Sequence, residues 1–126
     1  MKKPRAILFD LDGVLINSEP KNSLIWNLVA KKAGLNLDRK ELDNLKGMTR
    51  IDCARKISNL SNNKISPENI ILLHKPIFER EMKDLEPIIF ARELIEVTEK
   101  NNISTAIVTS SSKKSFTEKT IDFPFI

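Results

Sequence analysis

The sequence predicts an α/β chain: a partial parallel-sheet core carrying an inserted helical stretch. Three observations predict it. Ala6-Ile7-Leu8-Phe9 and Ile103 to Val108 are short, apolar, β-prone runs, the signature of buried strands. Residues 18–84 carry about four helical patterns in succession with no strand signal between them. A further helical pattern at about 90–100 leads directly into the second apolar run, so strand, crossover and parallel strand follow in order. The expected division is 1–17 and 85–126 for the core and 18–84 for the helical insertion.

Taken in order, the first strand follows Lys2-Lys3-Pro4-Arg5 and gives way to a loop over 14–19. Pro20 suits the first turn of a helix, with Ser18 or Glu19 at its cap. Leu24, Ile25, Leu28 and Val29 recur at helical spacing, and Gly34 ends that element. Asp38 with Glu41 forms a capping-box pattern and starts a short helix through Lys46. Thr49 with Asp52 repeats the signal before Ile51, Ala54, Ile57 and Leu60. Ser66-Pro67 opens a helix with Ile70, Leu73, Ile77, Phe78 and Met82 on one face. His74, the only histidine, falls in that helix and is expected to be partly exposed. Pro87 breaks the run. Leu94 and Ile95 should face inward from the next helix, and Asn101-Asn102 should end it. After the second strand, Thr109 to Lys114 reads as a loop entering a helix buried through Phe116 and Ile121 and stopped by Pro124.

Asp10 and Asp12 stand at i, i+2 where the first strand ends, a spacing that sets both side chains on one face of a strand. Two close carboxylates require a cation, a shared proton or solvation. Gly13 permits a sharp turn and leaves room for a ligand. This arrangement suits phosphoryl transfer: one carboxylate attacks phosphorus, the other moves protons, and Mg²⁺ screens the charges. The same residues also fit a two-residue hairpin, with Ala6–Leu11 paired to Val14–Asn17. An EF-hand loop fits less well, since its further acidic ligands and closing Glu are missing. Ligands of parallel sheets bind at the carboxyl ends of strands. Asp10/Asp12 and the Thr109–Lys114 cluster both fall there, which favours the enzyme reading.

Composition narrows the classes. The net charge of +4 suits an anionic substrate, and the basic residues are scattered among acids rather than gathered into a nucleic-acid patch. Tyr is absent and no stacking platform for bases is visible. The single cysteine, Cys53, excludes an internal disulfide and reads as a small buried helix residue in a reducing compartment. No apolar run is long enough to span a membrane and no signal peptide precedes the first strand. The expectation is a cytoplasmic protein with neither nucleic-acid nor membrane partners.

Phe9-Asp10-Leu11-Asp12-Gly13-Val14-Leu15-Ile16-Asn17-Ser18-Glu19-Pro20 resembles the first motif of the haloacid dehalogenase-like hydrolases. The resemblance extends to the branch holding β-phosphoglucomutase and small sugar-phosphate phosphatases. The resemblance implies a Rossmann-like core with an inserted helical cap. It makes Asp10 the nucleophile and Asp12 the general acid/base. Mg²⁺ would be held by Asp10, by the Asp12 backbone carbonyl and by an acid much later in the family's chain. Ile107-Val108-Thr109-Ser110 resembles the second motif, with Ser110 the phosphoryl-oxygen donor and Thr109 the alternative register. Ser112-Lys113 matches a pair that contacts a second substrate phosphate, although a serine run here also serves as a plain helix cap and Lys113 as a solvated charge. Leu45 to Arg50 resembles a cap segment whose Arg grips a substrate phosphate.

The family's later lysine and acidic pair have no counterpart. Only Glu118 and Asp122 follow Ser112 as acids, and Lys113 or Lys114 would have to replace the lysine. This reads as a fragment or truncated product. The implied activity is Mg²⁺-dependent hydrolysis of a small phosphorylated metabolite through an aspartyl phosphate. The alternatives are a sugar phosphomutase and an inactive remnant serving only as a binding module.

Overall fold

A computed structural model describes residues 2–126. The elements are β1 (Ala6–Asp10), α1 (Glu19–Lys32), α2 (Arg39–Asp43), α3 (Arg50–Leu60), α4 (Pro67–Glu81), α5 (Ala91–Lys100), β2 (Ser104–Val108) and α6 (Lys113–Thr120). They form two compact units. One holds the residues up to Ser18 together with Asp84–Ile126; the other is Glu19–Lys83.

In the first unit β1 and β2 pair in parallel, Ala6 opposite Ser104 through Asp10 opposite Val108. The Asp12-Gly13 hairpin is therefore excluded. Alternation gives the sheet two unlike faces. Phe9, with Ile7 and Ile107, joins a core of Leu11, Leu15, Ile16, Ala91 and Ile95, flanked by Phe116, Phe123 and Phe125. On the opposite face Leu8 is 69% and Val108 59% exposed. The chain leaves and re-enters this unit through a neck. The Asn17 amide donates to the Glu86 carbonyl at 2.8 Å and the Ile88 amide to the Leu15 carbonyl at 2.9 Å.

Two inward assignments fail here. Leu94 is exposed, and the buried line of α5 is Ala91, Ile95 and Thr98, at i, i+4 and i+7. Ile121 lies beyond α6 and is exposed, while Ser115 and Lys119 form the buried side of that helix.

The second unit is built from helices whose starts are set locally. Asp38 and Glu41 make a reciprocal capping box on α2. Thr49 caps α3 through the Asp52 amide, and Ser66 caps α4 through the Asn69 amide. Each such cap is worth about 1 kcal/mol. The second helix ends at Asp43 rather than Lys46. α4 packs against both α1 and α3, burying Ile25, Val29, Ala54, Ile57 and Ile70. Leu24, expected inward, is exposed, and Trp26 with Ala30 completes the buried side of α1. The Cys53 thiol is buried and donates to the Leu45 carbonyl at 3.5 Å. Burial, then the charge of Asp52, push it up to about 11, which makes it an inert packing group. No helix among the described residues is long and apolar enough to cross a membrane.

His74 is buried, at 3% exposure. It stands at i+4 from Ile70 on the apolar stripe of α4, its ring 4.4 Å from Trp26 and 5.4 Å from Phe78 between centroids. Its Nδ1 has no hydrogen-bond partner. Burial, then the nearby Arg50 charge, push its pKa from 6.5 down to about 4. A histidine kept neutral in the fold takes up its proton first in the unfolded chain. Stability is therefore full above pH 6.5, is lost as pH falls towards 4, and levels off below that. The loss should be about 3 kcal/mol. Fluorescence of Trp26, the only tryptophan, will report it in urea titrations across that range. His74→Leu should flatten the slope; an unchanged slope in that variant would remove His74 as the cause.

Candidate active site

The loop after β1 is wound around one residue. Leu11 is fully buried, and its carbonyl accepts the amides of Val14, Leu15 and Ile16 at 3.3, 2.9 and 3.1 Å. Gly13 sits at φ +75, where a side chain would be strained, and its amide donates to the Ile16 carbonyl at 2.8 Å. Leu15 and Ile16 lock this coil into the core. The result fixes the backbone that carries Asp10 and Asp12.

The two carboxylates lie in different settings. Asp10 is exposed at the end of β1, and its Oδ1 accepts the Leu11 amide at 2.7 Å. Asp12 is half-buried in a polar network. Its Oδ1 accepts from the hydroxyl of fully buried Ser18 and from Lys119 Nζ at 3.0 Å. Its Oδ2 accepts from the Ser111 hydroxyl at 3.4 Å. Lys119 Nζ also donates to Ser111 Oγ at 3.1 Å. The Lys119 side chain is only 5% exposed and that of Asp12 19%.

The carboxyl ends of both strands thus converge on one network, and the residues that join them are partly unforeseen. Ser111, one step beyond Ser110, reaches Asp12. Ser110 is exposed, and Thr109 Oγ1 accepts the Ser111 amide at 3.1 Å. Ser112 caps α6 by accepting the Ser115 amide at 3.1 Å. Lys113 is exposed and Lys114 pairs with Glu118 at 3.8 Å on the surface. The lysine that reaches Asp12 is Lys119, one turn after Ser115 on the same face of α6. That i, i+4 spacing places both residues on one side of the helix without saying which way the side faces.

Arg50 belongs to the other unit. It is exposed at the first position of α3, with its guanidinium 5.5 Å from the centre of the Phe78 ring, a cation–π distance.

An exposed carboxylate beside a second one held by an ammonium and two hydroxyls can bind and handle an anionic, proton-exchanging group. The sequence and the fold both have counterparts among known proteins. Residues 7–125 match the sequence model described as haloacid dehalogenase-like hydrolase. Among solved structures, the chain is 27% identical to a HAD hydrolase, family IA, variant 3, from Entamoeba histolytica, with a TM-score of 0.73 over 93% of this chain and 54% of that one. It is 25% identical to a HAD family hydrolase from Deinococcus radiodurans R1 with bound phosphate and sodium, at a TM-score of 0.67, covering 94% and 52% of the two chains. A candidate β-phosphoglucomutase of Bacteroides vulgatus is also 25% identical, at a TM-score of 0.76 over 97% and 51%. The chain spans about half the length of these solved relatives.

Proposed function

The chain belongs to the haloacid dehalogenase-like hydrolases, and from that premise we propose that its strand-end site transfers the phosphoryl group of a small phosphorylated metabolite to water through Asp10. The observation that carries this reading is the contrast between the carboxylates. Asp10 is exposed and available to attack; Asp12, two residues on, is tied to the loop after β2 by Ser111 and to α6 by Lys119. In the first half-reaction an Asp10 oxygen bonds to phosphorus as the ester P–O bond breaks, and Asp12 gives the leaving oxygen its proton. In the second, Asp12 takes a proton from water, the water oxygen bonds to phosphorus, and the Asp10–phosphorus link breaks to free inorganic phosphate. The Deinococcus relative carries bound phosphate, which supports a phosphate ligand for this chain.

The donors present fit Mg²⁺ in kind. The Asp10 carboxylate and the Asp12 backbone carbonyl are hard oxygens, and the remaining positions would go to water and phosphate. When bound, the ion would screen the phosphoryl oxygens from the two carboxylates. Among the described residues no group of three or more His, Cys, Asp or Glu side chains is placed to hold a metal. With so few protein ligands, turnover by this chain alone should fall well below the usual range of about 1–10³ s⁻¹.

A phosphomutase acting on a sugar phosphate is the second reading. Ser112-Lys113 at the start of α6 and the likeness to the Bacteroides protein favour it. Steady-state assays with Mg²⁺ on hexose 1-phosphate and hexose 6-phosphate separate the two, since a mutase interconverts them and a phosphatase releases phosphate from either. Absence of both reactions and of phosphate binding would leave a remnant serving as a binding module. Within the phosphoryl-transfer reading, Arg50 selects substrate by forking onto a phosphate. Arg50→Ala should raise KM for a sugar phosphate about tenfold and leave a small aryl phosphate nearly unaffected. Equal losses on both substrates would remove Arg50 from substrate selection.

A further inference from the structure

We propose that Lys119 is the cationic member of the strand-end anion site: it neutralises Asp12 in the absence of substrate and passes to the phosphoryl dianion when one binds. The inference rests on the phosphoryl-transfer reading of the same site.

Charge makes the first argument. Asp10 and Asp12 bring two negative charges to the strand ends, and a phosphoryl dianion brings two more. A positive group must answer them if the anion is to enter. The lysines that follow the Ser110–Ser112 run do not reach Asp12: Lys113 is exposed and Lys114 lies on Glu118. Lys119 arrives from the last turn of α6, 107 residues away in sequence, within 3.0 Å of Asp12.

Burial makes the second. The other ion pairs among the described residues are surface pairs, whereas Lys119 is 5% exposed. Taking an ammonium out of water costs several kcal/mol, and a buried pair returns little net stability. A staple between α6 and the loop after β1 would be served as well by packed apolar groups. An ammonium at this point is explained by an anion.

Geometry makes the third. Lys119 holds Asp12 Oδ1 and Ser111 Oγ at once, so it already spans the two strand ends between which phosphate would lie. An ammonium is a compact point charge on a flexible stem. A short swing would carry it from the carboxylate to a phosphate oxygen of higher charge. That movement frees one lone pair of Asp12 Oδ1, beside the Ser18 bond, for the proton it must give and take.

Calorimetric titration with inorganic phosphate at about pH 8, where phosphate is a dianion, tests this with three variants. Lys119→Met should weaken binding at least about tenfold. Asp12→Asn removes the competing carboxylate and should tighten binding severalfold. The double variant D12N/K119M should bind as weakly as K119M. A purely structural staple predicts otherwise: both single changes lower Tm, and the double variant regains both Tm and wild-type affinity. Should Lys119→Met fail to fold with Asp12 left unpaired, the double variant carries no stranded charge and supplies the comparison. Wild-type affinity in the double variant overturns the role of Lys119 alone. A wild-type chain that binds no phosphate overturns the phosphoryl-transfer reading and this inference with it.

Discussion

Asp10→Asn should reduce phosphoryl capture by the chain to background. The side chain stands exposed at the end of β1, where its Oδ1 accepts the short bond from the Leu11 amide. Asparagine has the same shape and can keep that bond through its amide oxygen, so the coil around Leu11 should persist. Stability should stay within about 0.5 kcal/mol of the parent. The substitution removes the charge and the lone pair that attack phosphorus. The check is to incubate parent and variant with Mg²⁺ and acetyl phosphate, reduce with borohydride and map the modified peptide. The parent should carry the modification at Asp10 and the variant none. Modification at another residue, or undiminished modification of the variant, would show that a different group accepts phosphorus.

Asp12→Asn should slow turnover by about 10²–10⁴-fold while Mg²⁺ affinity is nearly retained. The metal would use the backbone carbonyl at this position, which the substitution leaves in place. What is lost is the group that protonates the leaving oxygen and later deprotonates water. Because asparagine also removes a charge, substrate should bind no more weakly than to the parent. The signature is therefore a fall in kcat without a rise in KM. A variant that turned over normally once saturated with metal would assign Asp12 to metal binding instead of proton transfer.

The parts of this molecule legible in its sequence are those settled over three or four residues. The caps at Asp38, Thr49 and Ser66 each involve an amide three positions on, so residue type and spacing suffice to find them. Both strands were legible for the same reason: short β-prone runs with polar ends. The family motif placed Asp10 and Asp12 together. Side-chain burial was harder, because a helical stripe has two edges and the pattern does not say which is inward. Leu94 went outward with Thr98 inward, and Leu24 outward with Trp26 inward. His74 stood in line with Ile70 and Ile77, and only its polarity argued for solvent. The Lys119–Asp12 pair and the choice of Ser111 over Ser110 were not legible. They depend on how α6 is rotated against the loop after β1, which no local spacing encodes.

The neck between residues 15–17 and 86–88 bears on how the parallel pair can form at all. β1 and β2 meet residues such as Ala6 and Ser104, separated by 104 − 6 = 98 positions, an unfavourable closure for a chain searching freely. Most of that span is Glu19–Lys83, which has its own caps and its own core and is contiguous in sequence. Once that stretch has condensed, the search left to β1 is over the few residues on either side of the neck. The sheet then forms as though its crossover were short, and its closure entropy is largely independent of how long the insertion is. Changes in insertion length alone should therefore be tolerated by the strand pair, each doubling adding only about 0.6 kcal/mol even in a flexible loop.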